Sequence, residues 1–181
     1  MSIAEQIYHP ETNALDFTYQ IDPGPIVLIS AEGYRISKGT LKREIPVYEE
    51  NAVDDDLLSE GRRNLLEYLQ TRGRFDAKVE IRKKSDATRM WVIYDIDPGP
   101  LHTLASVEIT GNKNFLDTAK LRSYLQIQPA HRLLTHGKYS DALLKSDVVT
   151  LENLYRSNGF HQVQIKTKVD DNYQGDRKSV V

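Results

Sequence analysis

The sequence predicts an α+β fold made of tandem β-α-α-β-β units, and three observations predict it. The pentapeptide Ile21-Asp22-Pro23-Gly24-Pro25 returns 75 positions later as Ile96-Asp97-Pro98-Gly99-Pro100. Each copy ends a run that alternates as a strand does: Leu15, Phe17, Tyr19 and Ile21, then Met90, Val92, Tyr94 and Ile96. Two long stretches carry leucines and tyrosines at helical spacing, and glycine closes each, Gly73 and Gly159. Proline fixes φ and lacks a backbone donor, and glycine reaches conformations other residues avoid, so Pro-Gly-Pro stops a strand abruptly. Two such stops, a small domain apart, indicate a modular repeat.

Residues 3–22 read as a hairpin, with a weak strand Ile3–Tyr8, turn chemistry at Pro10–Asn13 and a strong strand Leu15–Ile21. No helix precedes it to cover its apolar face, so it reads as the tail of an earlier unit. After the first stop, Ile26–Ile29 is a short apolar strand, and Thr40–Ile45 suits a short helix ended by Pro46. Asp54-Asp55-Asp56 opens a longer helix running to about Arg72, with Leu58, Leu65, Tyr68 and Leu69 on one face. Phe75, Ala77, Val79 and Ile81 then alternate with charged residues as a half-buried strand, and Thr88–Ile96 returns beside it.

The order repeats in Ala105–Thr110 (strand), Gly111-Asn112-Lys113-Asn114 (turn) and Asp117–Leu125 (short helix capped by Asp117). A helix over Ser140–Ser157 and a strand over Phe160–Val169 complete it. Gly73 and Gly159 are 86 apart against 75 for the stops, which places about 11 extra residues at Gln128–Lys138 between the second pair of helices. After the turn Asp170–Gly175 only Arg177–Val181 is left for a last strand. The expected division is therefore a hairpin 1–22, a unit 23–97, and a unit 98–181 shortened in its last strand, as in an excised fragment.

Composition narrows the function classes. At 181 residues, 39% hydrophobic and 28% charged, the chain has the balance of a soluble protein of one or two small domains. Net charge is −2, with 13 basic and 18 acidic residues up to Asp97 and 11 and 8 after it. That asymmetry is ordinary surface variation and advertises no nucleic-acid or membrane-surface partner. Cysteine is absent, which removes disulfides and thiolate chemistry and leaves the redox compartment open. No apolar run approaches the roughly 18–20 residues of a membrane span, and Met1-Ser2-Ile3-Ala4-Glu5 does not begin a signal peptide. As a natural start it would mean a cytosolic protein, and as an excised piece it is silent about address.

Chemistry is sparse. His9, His102, His131, His136 and His161 are scattered, and His131 and His136 lack a nearby carboxylate to complete a metal site. His136-Gly137-Lys138 lacks the earlier glycine of a phosphate loop. The acidic cluster Glu49, Glu50 and Asp54–Asp56 lacks calcium-loop spacing and suits the N-terminus of the following helix. No triad, paired-carboxylate signature or glycine-rich loop points to an enzyme, so no catalytic residue, metal or cofactor is assigned.

Val107-Glu108-Ile109-Thr110-Gly111-Asn112-Lys113, then Leu121 and Leu125, Leu154-Tyr155 and Gly159-Phe160, together resemble the POTRA (polypeptide-transport-associated) domain of BamA/TamA-type outer-membrane assembly proteins. The resemblance covers residues 24–181, with the hairpin as the end of a preceding domain. The first unit departs from the pattern: Gly33-Tyr34 stands for Gly-Asn, and Gly73-Arg74-Phe75 carries an extra residue. The resemblance implies a periplasmic module with two helices on a three-stranded mixed sheet whose third strand lies between the first and second. The second strand is then an edge open to an incoming strand. Implied docking residues are Lys78, Val79, Glu80, Ile81 and Arg82 in one unit and Gln162, Val163, Gln164, Ile165 and Lys166 in the other, with Asp97, Pro98, Gly99 and Pro100 as the inter-domain joint.

Implied partners are nascent outer-membrane polypeptides or accessory assembly proteins, neighbouring POTRA units and a C-terminal membrane barrel. The basic residues Lys78, Arg82, Lys83, Lys84, Lys166 and Lys168 have a plainer reading, as lysine on an edge discourages unwanted pairing. Two other functions compete: a rigid periplasmic spacer, and a cytosolic α+β enzyme. The shortened last strand adds one expectation. The hairpin strand Leu15–Ile21 should pair onto its own chain's sheets or fill the gap in a neighbouring molecule, giving a strand-swapped oligomer.

Overall fold

The computed structural model describes residues 2–50, 53–112, 115–131, 136–170 and 177–180. The expected turn residues Lys113 and Asn114, and those at 171–175, lie outside them. Strands β1 (Ser2–His9) and β2 (Ala14–Gln20) form an antiparallel hairpin. Asn13 takes the left-handed conformation (φ 51°) in its turn and accepts a hydrogen bond from the Tyr8 hydroxyl at 3.0 Å. The hairpin is a sheet of two strands and pairs with no other described strand, so the expected pairing onto the chain's own sheets is not made. Every side chain of β2 is exposed.

The first unit runs β3 (Ile26–Glu32), α1 (Lys38–Glu44), α2 (Val47–Glu50), α3 (Asp55–Gln70), β4 (Lys78–Ser85) and β5 (Arg89–Asp97). The sheet order is β3-β5-β4, with β5 parallel to β3 and antiparallel to β4, so the third strand is central. Each main helix starts where a side chain accepts from an orphan backbone donor: Ser37 Oγ from Thr40 N at 3.1 Å, and Asp54 Oδ1 from Leu57 N at 2.7 Å. The apolar stripe Leu58, Leu65 and Leu69 of α3 is buried against Val92, Tyr94 and Ile96 of β5, with Leu41, Ile45 and Val79 completing the core. Gly61 lets helix and strand come close: a Cβ there would stand 2.8 Å from the Tyr94 hydroxyl, which donates to Leu58 O at 3.2 Å. The short helix α2 has no counterpart in the sequence reading.

The second unit runs β6 (Thr103–Val107), α4 (Thr118–Arg122), α5 (Asp141–Ser157), β7 (Val169–Asp170) and β8 (Arg177–Val180), with sheet order β6-β8-β7. Asp117 and Ser140 cap its helices. Val180 is buried beside Leu104, Val107, Ile127 and Leu143. The expected strand over 160–169 is reduced to Val169–Asp170. A strand needs a ladder partner as well as alternation: Val169 and Asp170 lie opposite Val180 and Ser179, and 161–167 pair with no described strand.

Candidate strand-docking site

β4 is hydrogen-bonded on one side only, from Lys78 opposite Asp97 to Ser85 opposite Met90. Among the described residues no strand lies on its other side. In an antiparallel pair alternate residues aim their N–H and C=O away from the partner, so this side presents a row of backbone donors and acceptors. Val79 is buried and Ile81 half-buried against the helices, whereas Lys78, Glu80, Lys83, Lys84 and Ser85 stand exposed.

The charges beside this edge are largely committed to the sheet. Arg82 Nη2 donates to Glu32 on β3 and to Asp95 on β5, each at 2.7 Å, and its Nε donates to Asp95 as well. Those bonds hold the Asp95 carboxyl below the usual carboxylate range and push the Arg82 guanidinium above its own. Lys83 pairs with Asp55 in the first turn of α3. Asp86, in the β4–β5 turn, accepts from Thr88 N and Arg89 N at 2.8 Å each, which lowers its pKa.

The second predicted edge differs. Val163 and Ile165 are half-buried, and Gln162, Gln164 and Lys166 exposed, so the alternation survives without a ladder. The two stretches are not brought together, and only 78–82 belongs to a paired strand with an open side.

The pentapeptides share one local geometry. Asp22 Oδ1 accepts from Gly24 N, and Asp97 Oδ1 from Gly99 N, each at 3.0 Å, with glycine φ of 63° and 59°. An aspartate reaching a donor two residues on, followed by a left-handed glycine, explains why Asp-Pro-Gly recurs as a block. At the second copy the segment is also held from outside. Arg74 Nη1 donates to Gly99 O at 2.8 Å, and His102 N donates to Gly73 O at 2.8 Å.

The most consequential residue here is Phe75, which comes two places after the glycine that ends α3. It is 4% exposed and packs in the second unit's core, stacked on His102 and edge-on to Tyr139 at 5.1 Å. His102 pairs with Asp76 at 2.7 Å. Gln70, buried at the end of α3, donates to Phe75 O and Asp141 Oδ2 and accepts from Asp141 N, with all three bonds between 3.1 and 3.2 Å. Sequence reading placed Phe75 on a strand face and did not single out Gln70, Tyr139 or Asp141. The available signal was the extra residue in Gly73-Arg74-Phe75.

Gln128–Lys138, the predicted extra segment, covers β6 where described. Leu104 N donates to His136 O at 2.9 Å, Ala130 N donates to Leu104 O at 2.8 Å, and Gln128 bridges Lys138. Among the described residues no three metal-ligating side chains converge, and no helix is long and apolar enough to cross a membrane.

A family model, POTRA, described as the surface antigen variable number repeat, matches residues 26–99 and again 102–181. No curated protein sequence matches. The fold is similar to that of POTRA3-5 of BamA from Haemophilus influenzae, with a TM-score of 0.51 and 16% identity, covering 99% of this chain and 70% of that one. It is also similar to BamA from Haemophilus ducreyi lacking POTRA domains 1–3, with a TM-score of 0.53 and 16% identity. There the match covers 90% of this chain and 28% of that one.

Proposed function

Because the chain belongs to the POTRA family of surface antigen variable number repeats, we propose that it is a polypeptide-docking part of the periplasmic arm of an outer-membrane assembly or secretion barrel. A nascent outer-membrane polypeptide or an accessory protein adds an extended strand to the free side of β4. Backbone hydrogen bonds supply most of the affinity, so sequence selectivity is loose, and the chain performs no chemistry of its own. The observation that carries this reading is the open side of β4 over Lys78–Ser85. Gln162–Lys166, which has no ladder, is a secondary contact, and Asp97–Pro100 is the joint between the units.

Titration with an amphipathic strand peptide, followed by amide NMR, tests it. The expected outcome is shifts concentrated in 78–84. Saturation with no shift in 78–84 would sink strand addition there.

A second reading is favoured by the burial of Phe75 across the joint: a stiff periplasmic spacer that fixes the angle between units. Spacer and docking arm are separable, since a spacer gives no peptide response while its two units still align as one body in residual dipolar couplings.

A further inference from the structure

The first strands of the two units meet different surroundings. β6 is an edge of its sheet, and the inserted segment 128–138 closes part of that edge. The two arms of the segment, bridged at Gln128 and Lys138, satisfy both backbone groups of Leu104. Its N–H donates to His136 O at 2.9 Å, and its C=O accepts from Ala130 N at 2.8 Å. Counting back 75 positions, Leu104 corresponds to Ile29 at the centre of β3. The first unit lacks the insertion, and among the described residues nothing pairs with β3 on the side away from β5.

The open groups can be named. Ile26 N donates to Thr88 O on the β5 side. By the alternation of a strand, Leu28 and Ser30 also bond towards β5, while Val27, Ile29 and Ala31 turn their N–H and C=O outward. These three pairs stand in a row about 6.6 Å apart, two strand steps each. An extended polypeptide repeats its own backbone groups at that spacing.

The two edges of the first sheet are also defended differently. β4 carries five charged residues in eight, the usual protection of a strand whose outer side faces water, whereas β3 carries one in seven, Glu32 at its end. Glu32 is itself taken up by Arg82. Ile26 and Leu28 are 64% and 42% exposed on the bare face of the sheet, with Trp91 beside Leu28 in the ladder. Val27 and Ile29 are only half-buried on the helix side. An uncharged strand of isoleucine, valine and leucine with a free edge pairs with other chains unless something covers it. The joint between units does not cover such an edge. Where the first unit meets the second, His102 N bonds Gly73 O one residue ahead of β6, and no described residue of the first unit makes a backbone bond along β6.

We propose that the outer edge of β3 is a further docking site, which takes an extended segment of a partner polypeptide with uncharged, apolar residues on both faces. One face of that segment covers Ile26 and Leu28 beside Trp91. The other extends the apolar layer of Val27 and Ile29 under the helices. This chemistry separates it from the β4 site, where Lys78 and Lys84 stand on the bare face and suit a segment with acidic residues there. The proposal goes beyond docking at β4 and stands on β3 alone.

Hydrogen exchange followed by amide NMR tests it, because strand addition has an alternating signature. The probe is a short peptide of valine, leucine and threonine whose only charges are lysines at its ends. At a free concentration about ten times its Kd, exchange at Val27, Ile29 and Ala31 is expected to slow about tenfold, while Leu28 and Ser30 change little. Leu104, already bonded to His136 O, is the closed-edge control and should not respond. Replacing alternate residues of the peptide by glutamate is expected to abolish the protection on β3. Ala31→Pro removes one outward N–H where an edge strand tolerates proline, and is expected to abolish it too, with the circular dichroism spectrum unchanged. No slowing at Val27, Ile29 and Ala31 in the unaltered chain overturns the proposal. So does a uniform change across 26–32, which marks a contact on the face and not the edge. A response confined to 78–84 overturns it and leaves docking at β4 intact, a response confined to β3 sustains it and sinks docking at β4, and no response at either overturns both. Protection of the three amides that grows with the concentration of the chain alone gives the edge to a second copy and overturns it.

Discussion

The two units share an order of elements and a sheet order, and they build their cores by different means. In the first, the nine residues of β5 run between β3 and β4, and Tyr94 drops its ring onto Gly61 of α3. In the second, Asp147 stands where Gly61 stands, counting 86 from one helix-ending glycine to the other. The buried Asp147 carboxylate accepts from Gln126 N and Ile127 N at 2.9–3.0 Å and fastens the segment after α4 to α5. Further closure is borrowed: Phe75 comes from the first unit and the inserted segment covers β6. The first unit's core is built from its own residues, and the second unit's core draws on its neighbour.

Phe75→Ala breaks that comparison most sharply. Deleting a buried phenylalanine costs about 3–5 kcal/mol, and the loss should fall on the second unit, since Phe75 belongs to that core and not to the first. Residue-resolved hydrogen exchange in denaturant checks it. The second unit's amides are expected to lose protection while those of α3 and β5 keep theirs, and Phe75→Leu should recover most of the effect. Equal losses in both units would show that Phe75 serves the first unit as well. Residual dipolar couplings on the same variant show whether the joint stays aligned without the wedge.

Much of this was legible in the sequence. Apolar spacing and capping residues are local signals, so α3 and α5 fall within two residues of their expected ends, and Ser140 and Asp54 sit where caps were needed. The β-α-α-β-β order and the 75-residue module came from alternation and from Pro-Gly-Pro. What escaped depends on contacts the sequence does not order. Phe75, Ala77, Val79 and Ile81 keep a perfect period of two, but period cannot say which core an aromatic enters, and β4 begins only at Lys78. The alternation of 160–169 was real, yet a strand also needs a partner, and among the described residues only Val169 and Asp170 find one. Of the candidate site, the edge at 78–82 followed from the resemblance, which implies a central third strand. The ion pairs that occupy Arg82 and Lys83 were not legible, because they join residues as far as 50 positions apart.

A smaller effect separates the units at high pH. Burial, with Tyr48 adding to it, pushes the Tyr94 hydroxyl up to about 12 from an ordinary 10.0. Below pH 10 both folded and unfolded chains hold the proton, and the contribution of the neutral ring is complete. It is lost as pH rises from 10 towards 12, about 2–3 kcal/mol in all. The first unit is therefore expected to lose stability ahead of the second in an alkaline denaturant series. Tyr94→Phe should remove that alkaline loss, at the cost of about 1 kcal/mol at neutral pH for the bond to Leu58 O. An alkaline loss that survives in Tyr94→Phe assigns it to another group.

The smallest expected difference lies on the outer faces of the sheets. Arg82 joins Glu32 and Asp95 across three strands of the first unit, while Lys168, at the matching place in the second, is exposed and makes no ion pair among the described residues. Asp95 is held below the usual carboxylate range, so its contribution is present above that range and is lost as pH falls through its folded value. Arg82→Gln is expected to return the Asp95 carboxyl towards the ordinary range in an NMR pH titration and to flatten the acid-side loss of the first unit, bringing the two units closer. An Asp95 titration that does not move in the variant would show that Lys84, whose charge also favours the carboxylate, is enough to hold it. Because the pair is exposed, the change at neutral pH should be small. If Arg82→Gln instead strengthens peptide response along 78–84, the cross-sheet ion pair also guards the edge by keeping β4 from adjusting to an incoming strand.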